Sequence, residues 1–375
     1  MIKPRIIAYY LPQYHTIPEN DKWWGKDFTE WTTVKRAVPL FKGHYQPKIP
    51  ADLGYYNLRQ SNVREEQARL AHNAGIEGFC YWHYWFGNGK ELLETPFKEV
   101  LESGHPDFPF CLAWANESWQ RKEWGNTYGK KNTTLIEQQY AGTEDNRQHF
   151  ESLKKAFADK RYITMDNKPV FIIYKPFKFK EIRNFIKEWN QLIFESGIAE
   201  KFYFIAQIDN DKEVAAIKNF GFDAATVNIV HRFVQPAYKY GTFFSSLCNF
   251  IIKIPQNIKR RIYDYPFVLN YSKAIQYITH KEFDIREDII PTIIPNWDHS
   301  PRSGKHNTIL RNSSPSLFKV HLNKVFSLVN KKKNNLVMLK SWNEWGEGNY
   351  MEPDIKYGHG YLDVLKECIE KVEQQ

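Results

Sequence analysis

LVMLKSWNEWGEG, residues 336–348, is a short apolar run that leads directly into two glutamates three positions apart. The polar segment KKKNN, residues 331–335, bounds the run upstream. The pattern therefore predicts a buried strand that ends in a loop carrying Glu344 and Glu347. Trp342 and Trp345 flank the first glutamate, and Gly346 separates the second tryptophan from the second glutamate.

Two carboxylates beside large apolar rings suit the making or breaking of a glycosidic bond. That reaction needs one protonated carboxylic acid and one ionised carboxylate, whose pKa values are separated by their surroundings. Trp342 and Trp345 offer apolar surfaces for sugar rings and would raise the pKa of the less solvated glutamate. The alternative is a Glu-x-x-Glu pair on a solvated helix face. Because tryptophans and glycines surround the pair, we expect Glu344 and Glu347 to be catalytic.

Seven further apolar runs precede this one, and helical or inserted segments separate them. The predicted strands are 5–10, 76–85, 110–115, 169–174, 202–207, 224–227, 289–294 and 336–339, and the predicted helices are 61–75, 91–103, 144–159, 180–195, 213–220, 316–330 and 360–371. Eight strands with this spacing is the count for a (β/α)8 barrel. The sequence therefore predicts an α/β fold, a single (β/α)8 TIM barrel domain over residues 1–375. It has a long first βα loop and an insertion after strand six, residues 228–287.

Polar side chains follow most of the predicted strands. In a (β/α)8 barrel the residues just beyond the strand ends share one face. We therefore expect ten of them to converge on one cleft, namely His15, His83, Asn116, Glu117, Tyr174, Gln207, Asn228, Asp298, Glu344 and Glu347. Aromatic residues make up 16% of the chain, more than a core needs, and such rings often line carbohydrate clefts.

Several of these residues also have a purely structural interpretation. His15 and His83 have no carboxylate or cysteine at metal-ligand spacing, so contact with sugar or with the barrel rim is favoured over metal binding. Trp82 and Trp114 could equally fill the barrel core. Glu117 could pair with a nearby arginine instead of meeting substrate. We expect neither a metal nor another cofactor.

The formal net charge of +9 suggests an anionic partner. No nucleic-acid-binding motif accompanies the charge, so we do not expect nucleic acid to be that partner. The segment 231–262 carries basic residues without an acidic one, mixed with aromatic and aliphatic side chains: Arg232, Lys239, Lys253, Lys259, Arg260 and Arg261. This composition predicts peripheral contact with an anionic membrane surface, and a partly buried insertion with solvated lysines is the alternative.

The four cysteines, Cys80, Cys111, Cys248 and Cys368, are scattered without metal-ligand spacing. We expect reduced, mostly buried thiols. No secretory leader pattern opens the sequence, and no apolar stretch has the length of a membrane span. The expected location is the cytoplasm, with peripheral association at the inner membrane through residues 231–262.

Six short segments together resemble a known family. They are YYLPQYH at 9–15, WT at 31–32, GIEGF at 75–79, AWANE at 113–117, WD at 297–298 and WNEWGEG at 342–348. The combination covers nearly the full chain and resembles the WbsX family of bacterial polysaccharide and lipopolysaccharide biosynthesis clusters. Its members are commonly labelled glycosyltransferases. The pattern is also similar to the endo-acting α-mannosidase and α-mannanase family, whose fold is a (β/α)8 barrel.

The likeness to these hydrolases implies a mechanism. In them the first Glu of a Glu-Trp-x-Glu element is the base that acts on the neighbouring sugar hydroxyl, so that an anhydro-sugar intermediate forms and configuration is retained. The second Glu is the general acid/base. The resemblance thus implies that Glu344 is the base and Glu347 the acid. The chain departs from the pattern at Gly346, where these hydrolases carry a histidine.

The resemblance also implies substrate contacts. Asn116 and Glu117 fall where the hydrolases carry a substrate-binding glutamate, and Asp298 and Arg302 fall in the loop after strand seven. Position and resemblance together predict these substrate-binding residues: Tyr14, His15, Trp31, Trp82, His83, Trp114, Asn116, Glu117, Tyr174, Trp297, Asp298, Arg302, Trp342, Asn343 and Trp345.

Three functions fit the sequence. The first is a retaining glycoside hydrolase or transglycosylase of O-antigen or capsule metabolism, which acts within a polysaccharide or on a lipid-linked glycan. The second is a glycosyltransferase that uses an activated sugar donor in lipopolysaccharide or capsule biosynthesis. The sequence shows neither a doubly wound fold nor an acidic metal-holding pair for a diphosphate, which favours the first. The third is a catalytically silent glycan-binding module, which would not need two carboxylates.

Overall fold

The computed structural model describes residues 2–121, 133–234, 266–305 and 307–374. In chain order its strands are β1 (Arg5–Tyr10), β2 (Gly78–Trp85), β3 (Glu91–Leu92), β4 (Phe110–Trp114), β5 (Trp119–Arg121), β6 (Thr133–Ile136), β7 (Thr164–Met165), β8 (Lys168–Ile173), β9 (Tyr203–Ile208), β10 (Ala224–Val227), β11 (Phe267–Asn270), β12 (Ile289–Ile290), β13 (Thr292–Ile293), β14 (Thr308–Arg311), β15 (Leu336–Leu339), β16 (Asn343–Glu344) and β17 (Asn349–Tyr350).

Helices separate the strands along the chain. They are α1 (Pro18–Trp24), α2 (Glu30–Arg36), α3 (Ser61–Asn73), α4 (Thr95–Ser103), α5 (Thr143–Phe157), α6 (Ile182–Glu195), α7 (Val214–Phe220), α8 (Tyr271–Ile278), α9 (Lys281–Asp284), α10 (Ser300–Ser303), α11 (Pro315–Val329) and α12 (Gly360–Glu373). The long helices are amphipathic. On α6, for example, Phe185, Ile186, Trp189 and Ile193 are buried at helical spacing against the sheet, while the opposite face is polar.

The central sheet is a barrel of parallel strands. Its strand order, β1, β2, β4, β8, β9 and β10, follows the chain, and every neighbouring pair is parallel. The seventh position is shared by β12 and β13, which Pro291 separates. β12 pairs with β10, β13 pairs with β15, and β15 pairs with β1, so the sheet closes on itself. The predicted (β/α)8 TIM barrel is thereby confirmed.

One predicted helix begins later than expected. The sequence pattern favours a helix from residue 91, but Glu91 and Leu92 form β3, which pairs antiparallel with the end of β2. The helix, α4, begins only at Thr95 because Pro96 has no backbone N–H and fits only the first turn of a helix.

The loop after β1 is long and is folded on itself. It contains α1 and α2 before the chain enters α3. A capping box in which Thr29 and Thr32 exchange side-chain and backbone hydrogen bonds fixes the start of α2. The backbone N–H of Glu30 donates to the carbonyl of Gln13 at 3.0 Å, which ties α2 to the end of β1. This segment consequently lies over the carboxyl end of the barrel.

The segment after β10 is described only in part. A small apolar cluster that includes Phe233, Tyr271 and Ile275 packs beside the barrel, and β11 pairs with β14. Arg232 is buried and donates to Asp284 at 2.8 and 2.9 Å. It is therefore an internal ion-pair partner, which corrects its expected place on a membrane-facing surface. The other five basic residues of 231–262 lie outside the described residues, and membrane contact stays a prediction, as does the single-domain organisation.

Two further findings concern cysteines and membrane spans. Cys80, Cys111 and Cys368 are free and buried, as predicted, and Cys248 lies outside the described residues. In the described ranges, no helix combines the length and the apolar composition that crossing a bilayer requires.

Candidate active site

Both glutamates of the C-terminal motif lie on a tight hairpin just beyond β15. β16 and β17 pair antiparallel, and a single 3-10 turn, Trp345–Glu347, connects them through Gly348. Gly348 has a φ of 60° and lies so close to Asp298 that a Cβ would come within 2.8 Å of it. A glycine is therefore needed where the hairpin turns back. The turn places Glu344 and Glu347 on the same side of the loop.

One guanidinium joins three carboxylates at this point. Arg302 Nη2 lies 3.1 Å from Glu344 Oε2, and its Nη1 lies 2.8 Å from Glu347 Oε1. Its Nε lies 2.6 Å from Glu30 Oε1. Arg302 belongs to α10, beyond strand seven of the barrel, and Glu30 belongs to α2, beyond strand one. Loops from three strand ends thus meet at a single arginine.

Further polar groups approach Glu347. Lys340 Nζ lies 3.5 Å from Glu347 Oε2, and His299 Nε2 lies 3.8 Å from Oε1. Asn349 Nδ2 donates to Oε2 at 3.2 Å. Burial raises the pKa of Glu347, but Lys340, Arg302 and His299 outweigh burial and lower this pKa to about 2.

The neighbouring glutamate behaves in the opposite way. Glu344 is 4% exposed. Burial, followed by the charge of Glu347, raises the pKa of Glu344 to about 7, although Arg302 and Lys340 act against this rise. The pair therefore takes up its first proton as the pH falls through neutrality, and burial favours Glu344 as the carrier of that proton in the ligand-free protein.

Five of the predicted substrate-binding residues support the hairpin from beneath. Tyr14, Trp31, Trp342, Asn343 and Trp345 are all buried. The side-chain amide of Asn343 makes hydrogen bonds of 2.7 and 3.0 Å with the backbone of Leu11, at the end of β1. The hydroxyl of Tyr14 donates to the carbonyl of Asn343 and accepts from the N–H of Trp345.

The tryptophans of this group are equally enclosed. Trp345 stacks on Tyr350 with ring centroids 3.7 Å apart, and its indole N–H donates to Glu352 at 2.6 Å. Trp31 packs against Trp345 and donates to the carbonyl of Tyr56. These rings have no surface left for a sugar, so the expectation that they form a sugar platform is wrong. They position the hairpin instead.

Asp298 is likewise an anchor. Its carboxylate accepts hydrogen bonds from His44 at 2.8 Å and Gln46 at 2.7 Å, and its backbone N–H donates to the carbonyl of Glu347 at 2.7 Å. Burial raises its pKa, but the bond to His44 and nearby Lys48 lower it to about 2. Asp298 therefore remains ionised and fixes the hairpin rather than facing the cleft. Trp297 is buried, with Lys340 Nζ 5.4 Å from its ring.

Trp82 and Tyr174 are the predicted residues that line the barrel mouth. Trp82 stacks on Tyr9 with centroids 4.8 Å apart and meets Tyr174 edge to face at 5.5 Å. Tyr174 is half-buried, and its pKa is raised by burial and then by Glu117 and Glu347. Both carboxylates therefore act electrostatically on Tyr174, and its role in sugar binding stays a prediction.

His83 and Trp114 point to the other face of the sheet. His83 Nε2 lies 2.8 Å from Nε2 of His149 on α5, and the two rings stack. Trp114 packs on His149 and Phe185. Side chains alternate between the faces of a strand, so His83 points outward because its neighbour Trp82 points inward. The expectation that His83 and Trp114 face the cleft is wrong.

His15 also lies away from the carboxylates. Its Nδ1 contacts the carbonyl of Pro12 at 2.8 Å, and the charged groups that act on it are Arg59, Glu94 and Glu99. Burial lowers the pKa of His15. This placement corrects the expected convergence of His15 on the cleft.

Asn116 and Glu117 follow β4 and have different surroundings. Asn116 is buried and clamps Lys175 by hydrogen bonds to its N–H at 2.7 Å and its carbonyl at 3.0 Å, so it is a structural bridge between strand ends. Glu117 is partly exposed and pairs with Lys178 at 3.1 Å. It borders an open cleft that Trp24 and Trp119 also line. Gln207 is buried in β9, and Asn228 donates to Asp209 at 3.4 Å.

Sequence reasoning missed Glu30, Lys340 and His299 as site residues. Weak signals existed, because Glu30 precedes Trp31 in the long first loop, Lys340 directly follows β15 and His299 directly follows Asp298. Among the described residues, no group of three or more His, Cys, Asp or Glu side chains is arranged to hold a metal ion.

A family model described as "Glycosyltransferase WbsX" matches residues 6–365. The chain is similar to a protein described as "Uncharacterized protein WxcX" in two strains of Xanthomonas campestris pv. campestris. It is 31% identical over 371 residues to one and 31% identical over 367 residues to the other, which is 97% of this chain in each case. The chain spans about half the length of these relatives, 49% of each.

Solved structures with the same fold include a "Glycoside hydrolase-like protein". It has a TM-score of 0.60 at 15% identity and covers 98% of this chain and 94% of its own. The GH99 endo-alpha-mannosidase from Bacteroides thetaiotaomicron has a TM-score of 0.56 at 13% identity, with 100% of this chain and 98% of its own covered. At these identities the likeness is one of fold.

Proposed function

This chain belongs to the WbsX glycosyltransferase family, and from that premise we propose that it is a carbohydrate-active enzyme that cleaves or rearranges glycosidic bonds with retention of configuration. The resemblance inferred from the sequence motifs is confirmed at the level of the family. The proposed substrate is a surface polysaccharide of the O-antigen or capsule type, or its lipid-linked precursor. The outcome is hydrolysis when water accepts the glycosyl unit and transglycosylation when another sugar does.

The observation that carries this proposal is the pair of glutamates on one arginine. Glycosidic chemistry needs one carboxyl group with its proton and one without. The pKa of about 7 for Glu344 and of about 2 for Glu347 provides that division near neutral pH. The pair also lies beyond the carboxyl ends of the barrel strands, where (β/α)8 enzymes carry their active sites.

Retention is supported by the way Arg302 holds the pair. Glu344 and Glu347 contact the two terminal nitrogens of the same guanidinium at 3.1 and 2.8 Å. Neighbouring nitrogens of one planar group favour closely spaced carboxyl groups, which leave little room for a water molecule between them. Inverting enzymes need more space between the groups, because a water molecule must fit there.

The proposed reaction has two balanced steps. One carboxylate takes the proton of the sugar hydroxyl next to the anomeric carbon, and that oxygen displaces the leaving group to form an anhydro-sugar. The other carboxyl group gives its proton to the leaving oxygen. In the second step the carboxylate that gave up its proton takes one from water or a sugar hydroxyl, whose oxygen opens the anhydro ring at the anomeric carbon. The other carboxyl group returns its proton to the sugar oxygen released from the ring. The guanidinium of Arg302 contacts both groups and stabilises the negative charge as it passes from one carboxylate to the other.

Two role assignments follow from different observations. The resemblance implies that Glu344 is the base and Glu347 the acid. The electrostatics of the ligand-free protein favour the reverse, because burial raises the pKa of Glu344 while Lys340, Arg302 and His299 lower the pKa of Glu347. A substrate whose leaving group is already acidic does not need the general acid. The variant that keeps activity on an aryl glycoside but loses activity on the natural glycan therefore identifies the acid.

The experiment is incubation with the source bacterium's surface polysaccharide or its lipid-linked precursor, without nucleotide sugar, followed by mass analysis of the products. We expect shortened or rearranged glycans, which disappear in Glu344→Gln and Glu347→Gln while glycan binding remains. Glu77→Gln is a matched control because Glu77 is an ion-paired glutamate of Arg5, at the opposite end of the barrel. Unchanged turnover in both active-site variants would reject the proposal.

The second candidate is a glycosyltransferase that uses an activated sugar. The description of the family favours it. The same incubation distinguishes the two functions. No change without a nucleotide sugar, together with chain extension when it is added, would make transfer from an activated donor correct and the retaining mechanism wrong.

A further inference from the structure

A small pocket borders the hairpin that carries Glu344 and Glu347, but neither glutamate lines it. Its walls come from four parts of the chain, within residues 41–48, 296–298, 309–313 and 350–361. Its volume is about 80 Å³. A buried water molecule needs at least about 10–15 Å³ of cavity, so this space admits a group of about five to eight non-hydrogen atoms. A phosphate group is of that size.

The two carboxylates of the lining are already bonded within the protein. Asp298 is buried and accepts hydrogen bonds from two side chains of the first βα loop. Asp354 is also buried, and it accepts from the hydroxyl of Tyr350 at 2.6 Å and from the backbone N–H of Tyr357 at 2.7 Å. These bonds stabilise both carboxylates without the exposed cations of the pocket.

Two exposed cations of the lining have no carboxylate partner. Lys356 Nζ lies 4.5 Å from the ring centroid of Tyr45 and 4.9 Å from that of Tyr357, and Arg311 Cζ lies 6.0 Å from that of Phe41. Within the described ranges, no carboxylate lies at ion-pairing distance from either head group. Because all three rings line the pocket, both cations lie at its walls, and their N–H donors can bind a ligand.

The charges of the lining favour an anion. Lys48, Arg311 and Lys356 contribute three positive charges, and Asp298 and Asp354 contribute two negative ones. Only the two exposed cations are left without an anionic partner. A phosphate monoester carries about −1.5 to −2 charges near neutral pH, which matches these two cations.

The positions of the two cations favour phosphate over carboxylate. Arg311 ends β14, whereas Lys356 follows β17, so the two head groups come from different parts of the wall. A tetrahedral phosphate has oxygen atoms in several directions and can accept from both sides of the pocket. A planar carboxylate presents its two oxygens on one side only.

The pocket also contacts the support of the hairpin. Lys48 lines it, and its Nζ donates to Oδ1 of Asn296 at 2.9 Å and to the carbonyl of Gly348 at 3.1 Å. Asp298, which also lines it, donates its backbone N–H to the carbonyl of Glu347. A ligand in the pocket therefore packs against residues that hold the hairpin backbone.

We propose that this pocket binds a phosphate group, as the free ion or as a monoester, and that Arg311 and Lys356 hold it. The site is distinct from the glycan site proposed at Glu344 and Glu347, and the inference does not depend on that function. It supplies a specific anionic partner of the kind that the net charge of +9 suggests.

The test measures the binding of inorganic phosphate by calorimetry, with glycerol 3-phosphate in a second series and with chloride to keep the ionic strength constant. We expect saturable binding of one phosphate per chain and a Tm that rises with phosphate concentration. Binding of inorganic phosphate alone would identify the free ion as the ligand. Equal or tighter binding of glycerol 3-phosphate would identify a phosphate ester.

Arg311→Gln and Lys356→Gln should each weaken phosphate binding about 10-fold or more, because charge-assisted hydrogen bonds are lost. Both residues are exposed, so the Tm without phosphate should stay unchanged. Arg183→Gln is the matched control. Arg183 is exposed and lies 5.9 Å from the ring of Phe220, but it does not line the pocket, so its replacement should leave the affinity unchanged.

Three results would overturn the site. They are the absence of saturable binding by either ligand, a rise in Tm that chloride at the same ionic strength reproduces, and an affinity that Arg311→Gln and Lys356→Gln change no more than Arg183→Gln does. The turnover of Glu344→Gln and Glu347→Gln tests only the proposed glycan site and is independent of these outcomes.

Discussion

At the scale of single residues, the charges around Arg302 explain why the pair holds a proton. Glu30, Glu344 and Glu347 would bring three negative charges, against positive charges on Arg302 and Lys340. Burial makes the remaining negative charge costly. A proton on Glu344 removes this excess negative charge. Glu344 rather than Glu347 is favoured as the protonated member, because it is buried and lies farther from Lys340. The proton is therefore a consequence of how few cations this enclosed site contains.

Lys340 offers a test of this charge balance. It lowers the pKa of both Glu344 and Glu347, so Lys340→Met should raise both. In a plot of kcat/KM against pH, the titration of Glu344 should produce one limb near pH 7 in the unmodified protein. In Lys340→Met this limb should move to higher pH. Activity that falls above this limb identifies Glu344 as the acid, and activity that rises through it identifies the base.

The control for Lys340 is Lys340→Arg, which keeps the charge and should leave the limb in place. The measurement is kcat/KM against pH with one glycan for all three proteins. A limb that stays fixed or moves to lower pH in Lys340→Met would contradict the assigned electrostatics.

Gly346 is a second residue whose identity the site requires. A Cβ at this position would lie 1.7 Å from Glu30 Oε1 and 2.8 Å from Arg302 Nε. Gly346→Ala should therefore displace the ion pair, with a loss of about 1–3 kcal/mol in the free energy of unfolding. We expect kcat/KM to fall at least 100-fold, because Arg302 would no longer hold the two catalytic carboxylates.

A double-mutant cycle separates the steric cause from other effects of Gly346→Ala. Glu30→Ala creates the space that the added methyl group needs, so Gly346→Ala should cost much less stability in that background. Unfolding by denaturant gives the four values. If the losses of unfolding free energy in the two single variants added up in the double variant, the methyl group of Gly346→Ala would not clash with Glu30.

The proximity of Glu344 and Glu347 could be predicted from sequence, but the arginine network that joins them only in part. Glu344 and Glu347 stand in one short motif, so their proximity follows from local spacing. Glu30 and Arg302 are 272 positions apart, and their contact arises only when the loops after the first and seventh strands meet. No periodicity in the sequence carries that information.

At the scale of elements, the first βα loop supports the hairpin that carries Glu344 and Glu347. Loop residues Tyr14 and Trp31 pack against the hairpin residue Trp345 and are buried there. The sequence suggested that these rings contact sugar, since tryptophan and tyrosine are common in both environments. Whether these rings contact sugar or are buried depends on what the loop packs against. The loop has no regular alternation of apolar and polar residues from which a buried face could be recognised.

Tyr14→Phe tests this supporting role. The change removes the hydrogen bonds of the Tyr14 hydroxyl to the carbonyl of Asn343 and the N–H of Trp345. We expect a loss of about 1–3 kcal/mol in the free energy of unfolding, because the two buried backbone groups are left unpaired. The expected kinetic effect is a lower kcat with little change in KM, since the hydroxyl positions the glutamates and does not contact substrate.

Tyr55→Phe is the control for Tyr14→Phe, because Tyr55 lies in the same loop but is 40% exposed. It should change neither stability nor kcat. A rise in KM without loss of stability in Tyr14→Phe would instead support a direct contact between this hydroxyl and the sugar.

At the scale of the whole molecule, the barrel was predictable because eight apolar runs recur with helical segments between them. The ends of the elements were less predictable. Pro96 delays α4, and Pro291 divides the seventh strand into β12 and β13. The face to which each strand residue points was also hidden. β2 is buried throughout, so its sequence does not show that Trp82 faces inward and His83 outward.

The outward-facing His83 gives the folded protein a distinct response to acid. Burial lowers the pKa of His83 to about 3 and lowers that of its partner His149 well below the usual value of 6.5. Both are neutral in the folded state but take up protons when unfolded below pH 6.5. The unfolded state therefore binds more protons, and stability falls as the pH drops from about 6.5 toward 3.

For His83 alone this loss is on the order of 3 kcal/mol at pH 4.5. Replacing both rings, in His83→Phe/His149→Phe, should flatten the dependence of the unfolding free energy on pH between 6.5 and 4. His105→Phe is the control because His105 is largely exposed and should leave the slope unchanged. Denaturant unfolding at several pH values measures the slope. If the double variant kept the full slope, the acid sensitivity would have to come from other groups whose pKa values are lowered in the folded protein, such as buried His321 and the carboxylates Asp298 and Glu347.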